Sequence, residues 1–342
     1  MKRLSTVITV VALAFAWLSP VRAQDSMRLT GSGATFPFPI YQAWFKAYSS
    51  AHKGVTVDYQ GKGSGAGIQD FINHTVDFAA SDAAMTDEEM AKVPGGVQLV
   101  PMTAGEIVIA YNLPGNPQGL KLPRDVYPAI FLGKITKWSD PKIKAANRGI
   151  NLPDQDITVV RRADASGTTF VFTNHLSAVS EEWNKAHGHG TTVNWPQSNK
   201  FVASPKNDGV AATIKQTPGA IGYIEYAFAK FSKASMAALQ NKAGQYAMPG
   251  GEGGPAALAS VQLPANLRAW LPDPDGPKSY PIVTYTWLLT YKESKDPKKA
   301  AAIRQLIDYC LTDGQKTSQQ LGYIPLPDNV VAVVRKASAS IK

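Results

Sequence analysis

Short β-branched runs alternate with helical patterns along most of the chain, and this alternation narrows the possible folds more than any other feature. Residues 55–59, 107–111, 157–160 and 282–289 read as strands. Helical signals lie between and after them. A helix is expected from Ile40 to Tyr48, after Pro37 and Pro39, because proline is tolerated in a first turn. Thr86-x-x-Glu89 is a capping box opening a short acidic helix. Asp296-Pro297 supplies an N-cap and N1 proline, and Ile303, Leu306, Ile307, Cys310 and Leu311 then recur with helical spacing. Strand followed by helix, repeated, leads to α/β domains with largely parallel sheets. No internal repeat is visible. Residues 248–255 and 271–281 are rich in Gly and Pro and read as loops. Strand patterns resume directly after them, so they are excursions rather than domain linkers.

Composition sets the scale. At about 150 residues per domain, 342 residues make roughly two domains. With 44% hydrophobic and 18% charged residues, the chain is neither disordered nor a coiled coil. The single cysteine, Cys310, excludes an internal disulfide and a cysteine zinc cluster, and its spacing puts it on a core face. The formal net charge of +9 suits an anionic partner without naming one. Lys2 and Arg3, an apolar run over 7–18 and the small residue Ala23 form an export signal, with cleavage expected after Ala23. The run is short for a membrane span of about 20 residues. Losing Lys2, Arg3 and Arg22 takes the charge from +9 to +6. The expected product is a soluble periplasmic protein.

One pattern occurs three times. Gly31-Ser32-Gly33-Ala34-Thr35-Phe36-Pro37 leads into a helix. Gly61-Lys62-Gly63-Ser64-Gly65-Ala66-Gly67 follows a strand and leads into Ile68 to Ile72. Arg162-Ala163-Asp164-Ala165-Ser166-Gly167-Thr168-Thr169 follows a strand and leads into Phe170-Val171-Phe172. Each is a turn of small residues with hydroxyls at a helix start. Helix N-termini present unpaired N–H groups and the positive end of the dipole, and glycine lets backbone approach a ligand closely. Together these features make anion sites, although spacing alone does not show that the three loops converge. None matches the P-loop signature. Gly61-x-Gly63-x-x-Ala66 loosely fits a dinucleotide fingerprint, which an exported location disfavours. Asp82 follows an apolar run and, on spacing alone, reads as a turn or N-cap aspartate. Arg162 and Asp164 read equally well as a surface ion pair.

Longer motifs carry a resemblance. Gly-Ala-Thr-Phe-Pro at 33–37, Asp-Phe-Ala-Ala-Ser-Asp at 77–82, Leu-Gly-Lys-Ile-Thr-Lys-Trp at 132–138 and Arg-Arg-Ala-Asp-Ala-Ser-Gly-Thr at 161–168 are four of them. Pro-Gly-Ala-Ile-Gly-Tyr-Ile-Glu-Tyr-Ala at 218–227 and Tyr-Ile-Pro-Leu-Pro at 323–327 complete the set. From about residue 29 to its end the chain resembles the phosphate-binding proteins of bacterial high-affinity phosphate ABC transporters. The resemblance implies a class II, two-lobed periplasmic binding protein with ligand in the interlobe cleft and two chain crossovers. Lobe I would comprise 24–107 plus 283–342, and lobe II 108–282. It also implies that Thr35 and Phe36, Ser64, and Ser166, Gly167 and Thr168 cradle the anion. Arg162 would supply the one cationic contact, oriented by Asp164. Asp82 would accept a hydrogen bond from the proton on phosphate. Sulfate carries no proton at neutral pH, so a buried carboxylate facing it meets an oxygen with no donor between them. The implied partners are inorganic phosphate and the membrane permease, with no cofactor, no metal, no nucleic acid and a monomeric state. Two positions depart from the family pattern. Ala165 stands where many members have glycine, which would strain a turn needing positive φ. Lys62 stands where an uncharged residue is common, and is expected to face solvent.

Two other readings stay open at this stage. A receptor for another tetrahedral oxyanion would use the same loops. A secreted phosphatase would need a nucleophile or metals: Ser166, Asp164 and His175 outline a triad, and His187-Gly188-His189 a metal seed. Gly-x-Ser-x-Gly is absent and no carboxylate partners accompany the histidines, so the latter reads as a polar loop.

Overall fold

The computed structural model describes residues 26–259 and 261–342. The export signal and its cleavage after Ala23 fall outside them. In chain order, β1 (Met27–Gly33), α1 (Phe38–Ala51), β2 (Val55–Gly61), α2 (Ser64–Ile72), β3 (Phe78–Ser81) and α3 (Asp87–Met90) build the first half of one layer. The long strand β4 (Val97–Tyr111) then leads to β5 (Lys121–Leu122), α4 (Val126–Phe131), α5 (Pro141–Ala146), β6 (Thr158–Arg162), α6 (Gly167–Val179) and α7 (Glu181–Ala186). There follow β7 (Phe201–Ser204), α8 (Lys206–Gln216), β8 (Ala220–Glu225), α9 (Tyr226–Ser232), β9 (Ser235–Met236), β10 (Ala238–Gln240), β11 (Tyr246–Ala247) and α10 (Gly253–Leu258). The chain returns along β12 (Val283–Tyr291) and ends in α11 (Pro297–Leu311) and α12 (Asp328–Ser338).

The main sheet has the order β2-β1-β3-β12-β4-β8-β6-β7, with β9 also on β4. β4 changes partners along its length. Residues 97–106 pair with β12, and 107–111 pair with β8. The molecule is therefore a two-lobed α/β structure joined through long strands. Within each lobe the strand-helix units are parallel: β1 with β2 and β3, and β6 with β7 and β8. The linking strands correct the expectation of largely parallel sheets. β12 runs antiparallel to β3 and β4, and β4 antiparallel to β8, because a chain that leaves one lobe and returns must reverse direction.

All fifteen residues of β4 are buried, but the sequence showed only its second half. Pro101 and Gly105 interrupt the first half, and proline cannot donate to a ladder. The structure accommodates Pro101 at a register shift opposite Thr286 and Trp287. The 248–255 loop is also corrected at its end, where α10 begins at Gly253. The capping box forms both bonds: Thr86 N–H donates to Glu89 Oε2 at 2.9 Å, and Glu89 N–H to Thr86 Oγ1 at 3.2 Å. Asp296 accepts from the N–H groups of Lys298 and Lys299, and Cys310 is fully buried on α11.

Candidate functional site

Parallel α/β sheets gather loops at the C-terminal ends of their strands, where ligands bind. Here β1 delivers Thr35, β2 delivers Ser64, β3 delivers Asp82 and β6 delivers Arg162 and the 164–168 turn. The three similar loops converge. Gly65 N–H donates to Ala165 O at 3.0 Å, joining the second loop to the third. Arg162 Nη2 donates to Thr35 Oγ1 at 3.2 Å, joining the third to the first. Thr35, Ser64, Asp82, Arg162, Ser166 and Thr168 are buried, Thr35 at 5% exposure being the most open of these, and Asp164 is half-buried at the rim. The lobes are thus closed over these groups.

Arg162 is fixed along one edge. Its Nε donates to Asp164 Oδ1 at 2.9 Å and its Nη2 also reaches Asp164. Asp164 Oδ1 accepts the Lys206 N–H as well, at 2.9 Å. Burial alone would raise the Asp164 pKa, but the bonds and charge of Arg162 outweigh it and hold the carboxyl below its ordinary range. Arg162 Nη1 is buried and has no hydrogen-bond partner within the protein. An unsatisfied buried donor on a permanently charged group is costly, so its position favours an anionic acceptor.

Asp82 is the fully buried carboxylate of this cluster. Thr286 Oγ1 donates to its Oδ1 at 2.8 Å, Ser64 Oγ lies 3.5 Å from its Oδ2, and its own N–H donates to Ser64 Oγ at 3.2 Å. Burial pushes its pKa up to about 7, against the Thr286 hydrogen bond and the Arg162 charge.

Helices α2 and α6 aim their first turns at the same place. The N-cap of α2 is Gly63 with φ of +99°, a conformation glycine adopts without a Cβ penalty. Ser166 caps α6 by accepting the Thr169 N–H at 3.1 Å. A Cβ at Gly167 would lie 2.3 Å from Ser64 Oγ and 2.6 Å from Asp82 Oδ2, so the α6 N-terminus presses against the opposite lobe. Thr168 is fully buried. Phe36 packs edge-on against Tyr323, whose hydroxyl donates to Phe36 O at 2.7 Å. Ala165 has no positive φ, so the glycine-to-alanine departure brings no backbone strain. Lys62 is 43% exposed and pairs with Asp70 at 2.9 Å.

The outlined triad does not assemble. His175 lies in the core, with Nε2 2.9 Å from Tyr127 Oη and Nδ1 2.7 Å from Pro272 O. Burial lowers its pKa to about 4. His187 Nδ1 lies 2.5 Å from Asn194 O, and His189 packs edge-on against Phe170.

Three contributors were not read as site residues from the sequence, although Tyr323 lies in a motif that carries the resemblance. Thr286 looked like one more residue of a strand, and Tyr323 is remote in sequence. Asn207 sits at the start of α8, after β7, in a fourth strand-to-helix turn beside β6. That position was the available signal.

The buried carboxyls give a pH prediction for the ligand-free protein. Asp82 and Glu106 are pushed up to about 7 by burial, and Glu225 well above its ordinary value. The native state therefore holds protons that the unfolded state releases, and native stability rises as pH falls. His175 opposes this only below its ordinary value near 6.5, where the unfolded state gains a proton that the core excludes. Urea midpoints are accordingly expected to rise from pH 8 to 6.5. A flat or falling midpoint contradicts the assignment.

Fold and site together define a two-lobed solute-binding fold with a buried, donor-rich cluster between its lobes. A family model described as a PBP superfamily domain matches residues 20–313. The phosphate-binding protein PstS of Pasteurella multocida is 40% identical over 316 residues, spanning 91% of this chain and 90% of that one. PstS of Xylella fastidiosa strain Temecula1 is 38% identical, spanning 92% and 86%. The phosphate-bound structure of the high-affinity periplasmic phosphate-binding protein PfluDING superposes with a TM-score of 0.76 at 23% identity, over 91% of this chain and 93% of that one. At that identity the likeness speaks for the fold. The chain belongs to the PBP superfamily and, within it, to the PstS phosphate-binding proteins.

Proposed function

We propose that this protein captures inorganic phosphate between its lobes, without chemistry, and delivers it to the permease of an ABC transporter. The lobes in this reading are 24–107 plus 283–342 and 108–282, and the protein acts as a monomer in the periplasm. The observation that carries it is the buried pairing of a donor-rich cradle with one acceptor. Arg162, with a free Nη1, and two helix N-termini face an anion, while Asp82 faces the proton that phosphate carries and sulfate lacks. Thr35, Phe36, Ser64, Ser166, Gly167 and Thr168 complete the cradle, and Asp164 orients Arg162. The names of the PstS relatives support phosphate as the ligand. The dispersal of Ser166, Asp164 and His175 to separate partners favours a binder over a phosphatase.

Thermal unfolding tests this reading. A ligand at 1,000 times its Kd stabilises the native state by about 4.1 kcal/mol. Millimolar phosphate is expected to raise Tm by several degrees, and equimolar sulfate to leave it unchanged at pH 8. Equal shifts with both ions would identify a general oxyanion receptor, and no shift with either would refute the proposal.

Arg162→Lys is expected to weaken phosphate binding by at least about 30-fold, about 2 kcal/mol, because an ammonium cannot hold Asp164 and reach the ligand together. Calorimetric Kd values check this. Unchanged affinity would put the Arg162 side chain outside the site.

A further inference from the structure

Asn207 is fully buried at the start of α8, and its three hydrogen bonds leave its orientation no freedom. The Glu225 N–H, which can only donate, reaches Asn207 Oδ1 at 3.2 Å. That fixes the amide so that Nδ2 faces the opposite way. There Nδ2 donates to Thr35 Oγ1 at 3.1 Å and to Thr168 Oγ1 at 3.3 Å. One amide thus touches hydroxyls on two of the three loops.

The consequence lies in the hydrogens. A hydroxyl has one donor hydrogen and two acceptor lone pairs. Thr35 Oγ1 receives N–H groups from both Asn207 and Arg162, and neither nitrogen can accept. Both lone pairs are occupied, so the Thr35 hydrogen is left to donate elsewhere. At Thr168 the Asn207 amide likewise takes an acceptor position and turns the hydrogen away from itself. Hydroxyls held as donors are preorganised for an oxyanion and cost no reorientation on binding. The backbone is shaped for this placement. Lys206, immediately before Asn207, has φ of +60°, an uncommon conformation for a non-glycine residue, while its N–H anchors to Asp164.

We propose that Asn207 is a positioning residue that locks the Thr35 and Thr168 hydroxyls as donors, so that the cradle selects an anion before the anion arrives. The proposal rests on the phosphate-binding reading, and wild-type phosphate binding tests that reading separately.

A double-mutant cycle tests the proposal. Phosphate Kd is measured for wild type, Asn207→Leu, Thr35→Val with Thr168→Val, and the triple variant, with thermal melts confirming folding. Asn207→Leu is expected to lose at least about 30-fold in the wild-type background but less than about threefold once both hydroxyls are gone. Equal losses in the two backgrounds would make Asn207 a packing residue and overturn the proposal, as would wild-type affinity in Asn207→Leu. If Asn207→Leu does not fold, the isosteric Asn207→Asp replaces it. Its carboxylate draws both hydroxyl hydrogens toward itself, so a loss of at least about 100-fold at pH 8 is expected. Affinity within threefold of wild type at pH 8 would overturn the proposal. If wild type itself binds no phosphate, the phosphate reading fails rather than the hydrogen-bond assignment.

Discussion

Replacing Gly167 by alanine is expected to cost phosphate affinity at least about 100-fold, about 2.8 kcal/mol, while each lobe stays folded. The new Cβ would fall 2.3 Å from Ser64 Oγ and 2.7 Å from Asp82 Cβ, distances that atoms do not share. Ser64 can turn aside, but the Cβ of Asp82 is tied to the end of β3. Relief has to come from the α6 N-terminus drawing back, which opens the cleft at the point where the anion is held. The lobe cores are not involved, so thermal unfolding without ligand should be little changed. Calorimetry measures the affinity, and small-angle scattering with saturating phosphate measures closure. Wild-type affinity in a fully closed Gly167→Ala protein would show that the α6 N-terminus does not contact the ligand.

Asp82→Asn is the second large effect, and it concerns selectivity. A site that hydrogen-bonds one feature of its ligand rejects analogues lacking it by about 10⁴-fold or more, because its buried partner is left unpaired. Asp82 is such a partner, since it accepts from Thr286 and faces the anion cradle. An amide at this position can turn a donor toward the anion, and sulfate then finds no bare carboxylate. The phosphate-to-sulfate preference is expected to fall below about 100-fold, with phosphate still bound. Competition titrations at pH 8 measure the ratio. A mutant that excludes sulfate as well as wild type does would remove Asp82 from its role.

The helical and capping signals that could be read in the sequence are local ones. The capping box at Thr86, the N-cap at Asp296 and the buried face of α11 depend on contacts three or four residues apart, and periodicity reports those. The glycine and hydroxyl loops were visible for the same reason. Their convergence was not, because Arg162 meets Thr35 only after the two halves of the main sheet are joined through β4. Asn207 follows a four-residue strand and a lysine with positive φ, and neither is a pattern that marks a binding residue. Thr286 gains its meaning from the pairing of β12 with β3, which sets it beside Asp82, and Tyr323 from its hydroxyl reaching back to Phe36 O in the first loop. The family resemblance supplied the cradle residues, and the structure brings Thr35, Ser64, Asp82, Arg162, Asp164 and the 166–168 turn together. The parallel-sheet expectation failed where the chain passes between lobes, since strand-helix alternation describes the lobes and not the strands that connect them.

The most direct test is calorimetric titration of refolded, ligand-stripped protein with phosphate and then sulfate at pH 8. The account expects one phosphate site per chain, with Kd at or below about 1 μM, roughly −8 kcal/mol, and no heat from sulfate. Equal binding of both ions would contradict proton reading by Asp82, and silence with both would contradict the anion site itself.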